Sequence, residues 1–186
     1  MILVFMEDIL FFKEFIKNWR EVGAITPSSK FLVKKMLQSV DFRKAALIVE
    51  LGSGSGTITI NLLKKMRKDG KLIIFETNKD FGINLKNIKD SRLTIYNESA
   101  LNLEKRLFGQ SPDYIISGIP LATLSQRDKK SLLFFSNKVL SPNGLFIQFQ
   151  YSLESLKDLK DVFDIVTVDF TPLNIPPAFV FSCVKK

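Results

Sequence analysis

The sequence predicts an α/β domain with an open, mostly parallel sheet of seven strands and helices on both faces. After about residue 40, short apolar segments alternate with longer amphipathic segments, as strands and helices do in a doubly wound sheet. Three alternating glycines follow the first apolar segment, where such a sheet has its ligand-binding edge. The last two apolar segments are joined by "TPLNIPP", which is too short and rigid for a crossover helix, so we expect the last strand to pair antiparallel.

The predicted strands are short, rich in β-branched and aromatic residues, and bounded by turn residues. They cover residues 46–51, 72–76, 93–97, 114–117, 145–150, 163–170 and 178–184. The predicted helices cover residues 57–68, 80–87, 101–108 and 125–140. The first forty residues do not follow this alternation, and we predict one or two helices there, separated by "GAITPSS". The expected organisation is an N-terminal helical segment, 1–40, followed by one domain, 41–186.

Composition excludes several classes of chemistry. The chain has no histidine, which removes Ser-His-Asp and Cys-His catalysis and every histidine-based zinc site. Its single cysteine, Cys183, can form no intrachain disulfide, and we expect no metal. Lys and Arg outnumber Asp and Glu by 27 to 19, and this net charge of +8 favours an anionic partner, either nucleic acid or a membrane surface. We find no secretory signal or run of 18 apolar residues, so we expect a cytoplasmic protein.

The glycine loop lies in "LIVELGSGSGTITINLL", residues 47–63. A Walker A phosphate loop would end in Gly-Lys-Ser/Thr, and this loop has no lysine. A dinucleotide loop would have a third glycine where Thr57 stands, so that interpretation is weakened. The spacing of Glu50, Gly52, Gly54 and Gly56 resembles motif I of class I S-adenosylmethionine (SAM) methyltransferases, and implies their Rossmann-like fold.

This resemblance implies a set of cofactor-binding residues. The loop residues Gly52, Ser53, Gly54 and Gly56 would let the backbone pass close to SAM, because a Cβ there would collide with it. Glu50 would accept a hydrogen bond from the amino group of SAM, directly or through water.

Two further positions match the cofactor site of these enzymes. Glu76 ends the second predicted strand at the separation expected of a carboxylate that binds a ribose diol. After the third strand, Ser99 stands where many class I enzymes have an aspartate for the adenine amino group. The Ser99 side chain or the Ala100 backbone amide would make that contact.

Five segments, in order along nearly the whole chain, resemble the bacterial phospholipid N-methyltransferases. They are "VGAITPSS" (22–29), "VELGSGSG" (49–56), "SGIPL" (117–121), "FIQFQYS" (146–152) and "NIPPAFVF" (174–181). These enzymes methylate phosphatidylethanolamine, and close relatives methylate ornithine lipids. The resemblance implies SAM-dependent methylation of the headgroup amine of a membrane lipid.

An RNA adenine or protein methyltransferase is the alternative. In rRNA adenine dimethyltransferases the fourth strand ends in Asn-(Leu/Ile)-Pro-(Tyr/Phe), and the aromatic stacks on the base. Here the asparagine is replaced and Leu121 stands in place of the aromatic, which counts against a flat base as substrate.

Residues 4–20 independently favour a lipid surface. On a helical wheel their large apolar side chains form one broad arc, bordered on one side by basic residues. The side chains expected at a membrane are Phe12, Lys13, Phe15, Lys17 and Trp19. The pattern is that of an interfacial helix, which would hold the protein peripherally on the inner face of the membrane. The alternative is a helix that packs its phenylalanines onto the sheet.

Methyl transfer from a sulfonium is an in-line displacement that mainly requires alignment and a deprotonated amine, so the absence of histidine is no obstacle. We expect the backbone carbonyls of Ser117, Gly118 and Ile119, with the Ser117 hydroxyl, to face the methyl group and the amine. Tyr151 is the side chain that we expect to orient the amine or lipid phosphate, although packing at a strand end is nearly as good an interpretation. Asn174 would shape the same mouth or simply form a turn.

Overall fold

The computed structural model describes residues 30–185 and contains seven strands in that range. The strands are β1 Leu47–Leu51, β2 Lys71–Phe75, β3 Leu93–Tyr96, β4 Tyr114–Ser117, β5 Leu145–Gln150, β6 Ile165–Thr171 and β7 Ala178–Val184. The α-helices are α1 Lys30–Leu37, α2 Thr57–Lys65, α3 Lys79–Lys86, α4 Leu103–Leu107, α5 Gln126–Val139 and α6 Leu156–Val162.

The strands form one sheet in the order β3-β2-β1-β4-β5-β7-β6. Every pair is parallel except those made by β7, which runs antiparallel to β5 on one side and to β6 on the other. The chain builds outward from β1 through β2 to β3 and then returns to place β4 on the other side of β1. A ligand crevice is expected at such a switch point, at the carboxyl ends of β1 and β4. The predicted sheet, including its antiparallel last strand, is confirmed.

Each face of the sheet carries its own apolar core. Helices α1, α2 and α3 contribute Leu32, Leu62 and Leu85 to one core, and the other contains Leu103 of α4 and Leu132 of α5. All five side chains are almost completely buried. The prediction of helices on both faces is confirmed.

Helix α6 is absent from the sequence-based prediction. Its seven residues contain one fully buried side chain, Leu159, so the apolar signal is weak. An ion pair of 2.5 Å between Lys129 of α5 and Asp158 fixes the helix to its neighbour. Phe163, predicted to start β6, instead ends α6 and stacks on Phe146 of β5 at a ring separation of 5.3 Å.

Helix α1 belongs to the N-terminal segment by our predicted division, yet it packs into the same core as the sheet. The Lys35 ammonium lies 3.4 Å from the Asp169 carboxylate of β6 and ties the helix to the edge strand. The predicted interfacial helix, with Phe12, Phe15 and Trp19, and the "GAITPSS" segment lie outside the described residues. Within residues 30–185, no helix is long and apolar enough to cross a bilayer.

Candidate functional site

A cavity of about 470 Å³ opens at the carboxyl edge of the sheet. Its wall is built from the segments that follow β1, β2, β3, β4 and β5, together with the first turns of α5. Of the predicted site residues, those that line it are Gly52, Ser53, Gly54, Glu76, Ser99, Ala100, Gly118, Ile119 and Tyr151. The fold therefore brings the separate predicted motifs to one cavity.

The glycine loop approaches the end of β4 backbone to backbone. Gly52 has a φ of +70°, a conformation that favours glycine, and its amide donates to the Phe75 carbonyl at 2.8 Å. A Cβ added to Gly118 would lie 2.6 Å from the Gly52 carbonyl oxygen. Glycine is required at these positions because the two loops touch where they form the cavity floor.

Glu76 holds the glycine loop in place. One carboxylate oxygen accepts from the Gly54 amide and the other accepts from the Asn78 amide, each at 2.8 Å. The Asn97 side-chain amide donates to the Glu76 carbonyl at 2.6 Å and fixes its backbone. Glu76 therefore lies on the cavity wall with its orientation set, and the ribose contact expected of it stays a prediction.

Glu50 lies below the loop and is not among the residues that line the cavity. Its Oε2 accepts from the Thr59 hydroxyl of α2 at 2.7 Å, whereas its Oε1 has no partner among the described residues. Burial raises the pKa of Glu50 to about 8; the Thr59 hydrogen bond opposes this shift, and the charge of Glu76 adds to it. Direct contact of Glu50 with a ligand stays a prediction.

Replacing Glu50 by glutamine is expected to flatten the pH dependence of stability. Because the pKa is raised from 4.5 to about 8 on folding, the stability contributed by the protonated carboxyl is fully present below pH 4.5 and is lost as the pH rises through about 8. In that window the SAM-free wild type should lose up to about 1.4 kcal/mol of unfolding free energy per pH unit. Glu50→Gln has no proton to release and should lose much less. Urea unfolding between about pH 5 and pH 9 measures this, and parallel curves would contradict the assignment.

Ser99 and Ala100 lie where the chain turns after β3. The Ser99 hydroxyl accepts from the Leu101 amide at 3.2 Å and caps the short 3₁₀ turn Ala100–Asn102. The neighbouring Glu98 carboxylate also lines the cavity and is held by Arg106 at 2.5 Å and Asn102 at 2.7 Å. Desolvation raises the pKa of Glu98, but these hydrogen bonds outweigh it and the net shift is downward. The adenine contact expected of Ser99 or Ala100 stays a prediction.

At the end of β4, Ser117 is completely buried and lies behind the cavity wall. Its hydroxyl accepts from the Ile119 amide at 3.3 Å. The Ile119 carbonyl accepts from two side-chain amides of β5, Gln148 at 3.0 Å and Gln150 at 3.4 Å. The contact of these backbone groups with a substrate stays a prediction.

The two glutamines were not among the predicted site residues. They alternate with apolar residues in "FIQFQ", and this i, i+2 spacing places both on one face of β5. Both are almost completely buried, where an amide needs a hydrogen-bond partner. Two polar side chains on one face of a buried strand thus indicated a hydrogen-bonded partner nearby. The structure shows that this common partner is the loop after β4.

Tyr151 lines the cavity just past β5, and its ring makes an edge contact with Phe149 at 5.7 Å. Desolvation raises the pKa of the Tyr151 phenol, and a hydrogen bond with the Asn174 side chain partly offsets the shift. Asn174 is buried, and its amide also donates to the Pro176 carbonyl at 2.6 Å. The structure therefore couples the two residues that were predicted separately for the mouth.

The charged residues on the described part of the wall are all acidic: Glu76, Glu98 and Asp128. Two buried polar atoms nearby, Glu50 Oε1 and Ser53 Oγ, have no hydrogen-bond partner among the described residues. The glycine backbone leaves space that a Cβ would fill, and the carboxylates beside it can accept hydrogen bonds. These features fit a cationic ligand with amino and hydroxyl groups. SAM is such a ligand.

Comparison with known proteins gives a relative along almost the whole chain. The protein named "Ornithine lipid N-methyltransferase" from Singulisphaera acidiphila is 27% identical over 186 residues, which are 96% of this chain and 96% of that protein. No family model matches the chain.

Solved structures share the fold. The O-methyltransferase TomG from Streptomyces achromogenes, in complex with SAM, aligns with a TM-score of 0.70 at 17% identity, over 90% of this chain and 86% of its own. Precorrin-6y C5,15-methyltransferase from Geobacter metallireducens aligns with a TM-score of 0.68 at 17% identity, over 88% and 93%. At these identities the structures establish the fold alone. With the sequence relative, they confirm the predicted methyltransferase resemblance and SAM as the cofactor.

Proposed function

We propose that this chain, a SAM-dependent methyltransferase with the class I fold, methylates the headgroup amine of a membrane lipid of the phosphatidylethanolamine or ornithine lipid type. One observation carries the proposal: three segments of the lipid-methyltransferase resemblance, "VELGSGSG", "SGIPL" and "FIQFQYS", line one cavity. "SGIPL" is joined to "FIQFQYS" by the bonds from Gln148 and Gln150 to the Ile119 carbonyl. The latter is joined to "NIPPAFVF" by the bond between Tyr151 and Asn174. The relative with the printed name of a lipid N-methyltransferase supports the same substrate class.

In this proposal SAM is held by the glycine loop, Glu76 and the Ser99–Ala100 turn, and when bound it supplies the methyl group as an electrophile. The residues of the chain orient the acceptor and exclude water. The glutamine amides fix the loop after β4 beside the acceptor, and Tyr151 orients the amine from the wall formed after β5. In this proposal the main contribution of the protein is to align the reactants. Such alignment lowers the activation free energy by about 7–11 kcal/mol in well-oriented reactions.

The position of Leu121 favours a lipid over a nucleic-acid base. In the base-methylating enzymes the residue here is the aromatic platform, whereas Leu121 is completely buried in the core among the helices of one face. Neighbouring Pro120 and Ala122 line the cavity, and neither has a ring system on which a base stacks well. Among the described residues, no Lys or Arg lines the cavity to bind a nucleic-acid phosphate inside it.

We place the enzyme peripherally on the inner face of the membrane, with residues 1–29 as one contact. Apolar insertion of the segment that contains Phe12 and Phe15 would dominate this contact, because its acidic and basic residues nearly balance.

Incubation of the protein with methyl-labelled SAM tests the acceptor class. One tube contains vesicles of phosphatidylethanolamine, ornithine lipid and an anionic lipid; parallel tubes contain total RNA or total protein. We expect label in the organic phase, where chromatography would identify the product. Nuclease-sensitive label that disappears steeply with added salt would instead establish an RNA methyltransferase. Label in precipitated protein would establish the protein alternative.

Tyr151→Phe is expected to lower turnover on lipid at least about tenfold, the lower range for losing a positioned polar group at a reacting centre. SAM affinity should be retained, because Tyr151 follows β5, which β4 separates from the strands that precede the glycine loop and Glu76. Steady-state kinetics with vesicles, together with calorimetric titration of SAM, separate the two effects. Tyr96→Phe, a change of the same type under Arg106, is the control. Wild-type turnover of Tyr151→Phe would remove this residue from the mechanism.

A further inference from the structure

The loop between β6 and β7, residues 172–177, has the reverse of the burial pattern expected of a loop that faces only water. Its one polar side chain, Asn174, is 3% exposed, whereas the aliphatic Leu173 and Ile175 are 64% and 87% exposed. An isolated exposed aliphatic residue is ordinary, but two that flank a buried asparagine are not. The fold therefore exposes the two aliphatic side chains, while the asparagine between them is buried and hydrogen-bonded.

The loop is held rigidly in this arrangement. The Asn174 amide donates to the Pro176 carbonyl at 2.6 Å, and the Asn174 backbone amide donates to the Thr171 carbonyl at 3.4 Å. Pro172, Pro176 and Pro177 restrict the backbone further. A rigid loop loses little conformational entropy on binding, so the exposed side chains of Leu173 and Ile175 are preorganised for contact with another surface.

The loop lies beside the mouth of the cavity. Strand β6 is parallel to β5, so its carboxyl end and the loop that follows lie at the same edge of the sheet as the cavity. The hydrogen bond from Asn174 to Tyr151 links the loop directly to the cavity wall. Phe170 at the end of β6 and Leu153 in the loop after β5 add exposed apolar surface at this edge.

We infer that Leu173 and Ile175 insert into the acyl boundary of an anionic bilayer and hold the cavity mouth against the lipid surface. This inference rests on the proposed lipid-methylating function and adds a docking surface distinct from residues 1–29. Two further observations select a bilayer as the occupant. Residues 170–184 contain no charged residue, so insertion of the loop removes no charge from water, and the net charge of +8 attracts the chain as a whole to an anionic surface.

Docking through this loop gives the Tyr151–Asn174 bond a role in access. A headgroup amine that rises from the lipid surface meets Tyr151 first, because the same asparagine that orients the phenol fixes the inserted loop. The substrate can then keep its acyl chains in the bilayer while its headgroup enters the cavity.

Flotation of the full chain with vesicles of phosphatidylglycerol and phosphatidylcholine tests the docking surface without an acceptor amine. The Leu173→Gln, Ile175→Gln double variant should show a vesicle partition coefficient that is lower by roughly tenfold or more, given the apolar area removed. The control is the Phe108→Gln, Ile165→Gln double variant. Those residues are 76% and 57% exposed and lie near the amino ends of β4 and β6, at the opposite edge of the sheet. The control should partition within about twofold of the wild type, since its apolar side chains face away from the docked surface.

Several results would overturn the inference. Equal partition of the loop variant and the wild type would do so. A lower melting temperature of the loop variant without vesicles would mean that residues of its own chain cover the loop, and loss of a dimer in light scattering would mean that a second copy does.

Methylation of phosphatidylethanolamine vesicles, measured separately, distinguishes the two proposals. Normal methylation with unchanged partition removes the docking surface alone, whereas loss of partition in a protein that methylates no lipid removes the proposed function alone.

Discussion

Gly118→Ala is expected to abolish useful SAM binding. The new Cβ would lie 2.6 Å from the Gly52 carbonyl oxygen, a contact with backbone that no side-chain rotation relieves. The Gly118 amide donates to the Leu51 carbonyl at 2.7 Å, so the loop after β4 cannot retreat without breaking this bond. We expect SAM affinity to fall about a hundredfold, since a displacement of about 1 Å at a positioning site has effects of that order. The unfolding free energy should fall by about 1–3 kcal/mol, as for an overpacked core.

Calorimetric titration with SAM and thermal unfolding measure the two effects separately. Gly109→Ala is the matched control. Gly109 has a φ of +83°, but a Cβ there would meet nothing within 4 Å. This variant should lose about 1–2 kcal/mol of stability from backbone strain alone and keep wild-type SAM affinity. Tight SAM binding by Gly118→Ala would show that the approach of the two loops does not form the cofactor site.

Glu76→Ala is expected to weaken SAM binding by at least about a hundredfold, or roughly 2.7 kcal/mol. The substitution removes the acceptors of the Gly54 and Asn78 amides, so the glycine loop loses its support. Hydrogen bonds to a charged group contribute about 1.5–3 kcal/mol each, and the predicted ribose contact is lost as well.

Glu76→Gln separates charge and shape. Its side chain has nearly the same size, but its NH₂ group must face either the Gly54 or the Asn78 amide, which places donor against donor. We therefore expect Glu76→Gln to lose most of the affinity that Glu76→Ala loses. Glu104→Ala, which removes an exposed partner of Lys138, should leave SAM binding unchanged. Wild-type affinity in both Glu76 variants would contradict the role of this carboxylate.

Much of the fold was predictable because its strands are short apolar runs between turn residues. The antiparallel ending followed from "TPLNIPP", whose length excludes a helix, and the glycine motif located the ligand edge. Helix α6 was not predictable in this way, because it is short, has one buried leucine, and makes its polar contacts, such as the Lys129–Asp158 ion pair, with a distant segment. Such a pair leaves no periodic signal in the sequence.

In the candidate site, too, the residues of a sequence motif could be predicted, whereas long-range contacts could not. Gly52 and Glu76 could be located by spacing, and both line the cavity. Spacing could not distinguish a residue on the wall from one behind it: Glu50 and Ser117 are completely buried and are not among the residues that line the cavity, and the contacts expected of them stay predictions. The bonds from Gln148 and Gln150 to Ile119 join residues about thirty positions apart, and only the folded chain brings them together.

The position of β7 has a consequence for synthesis of the protein. Although it is the last strand along the chain, β7 lies inside the sheet and makes antiparallel ladders with both β5 and β6. A nascent chain that has emerged only as far as residue 177 therefore lacks two ladders, and β6 has no strand to join. Helix α1, which is translated well before β7, also packs against side chains of this strand. Its packing is therefore incomplete until β7 has emerged, so we expect this half of the domain to reach its final structure only after β7 has been translated.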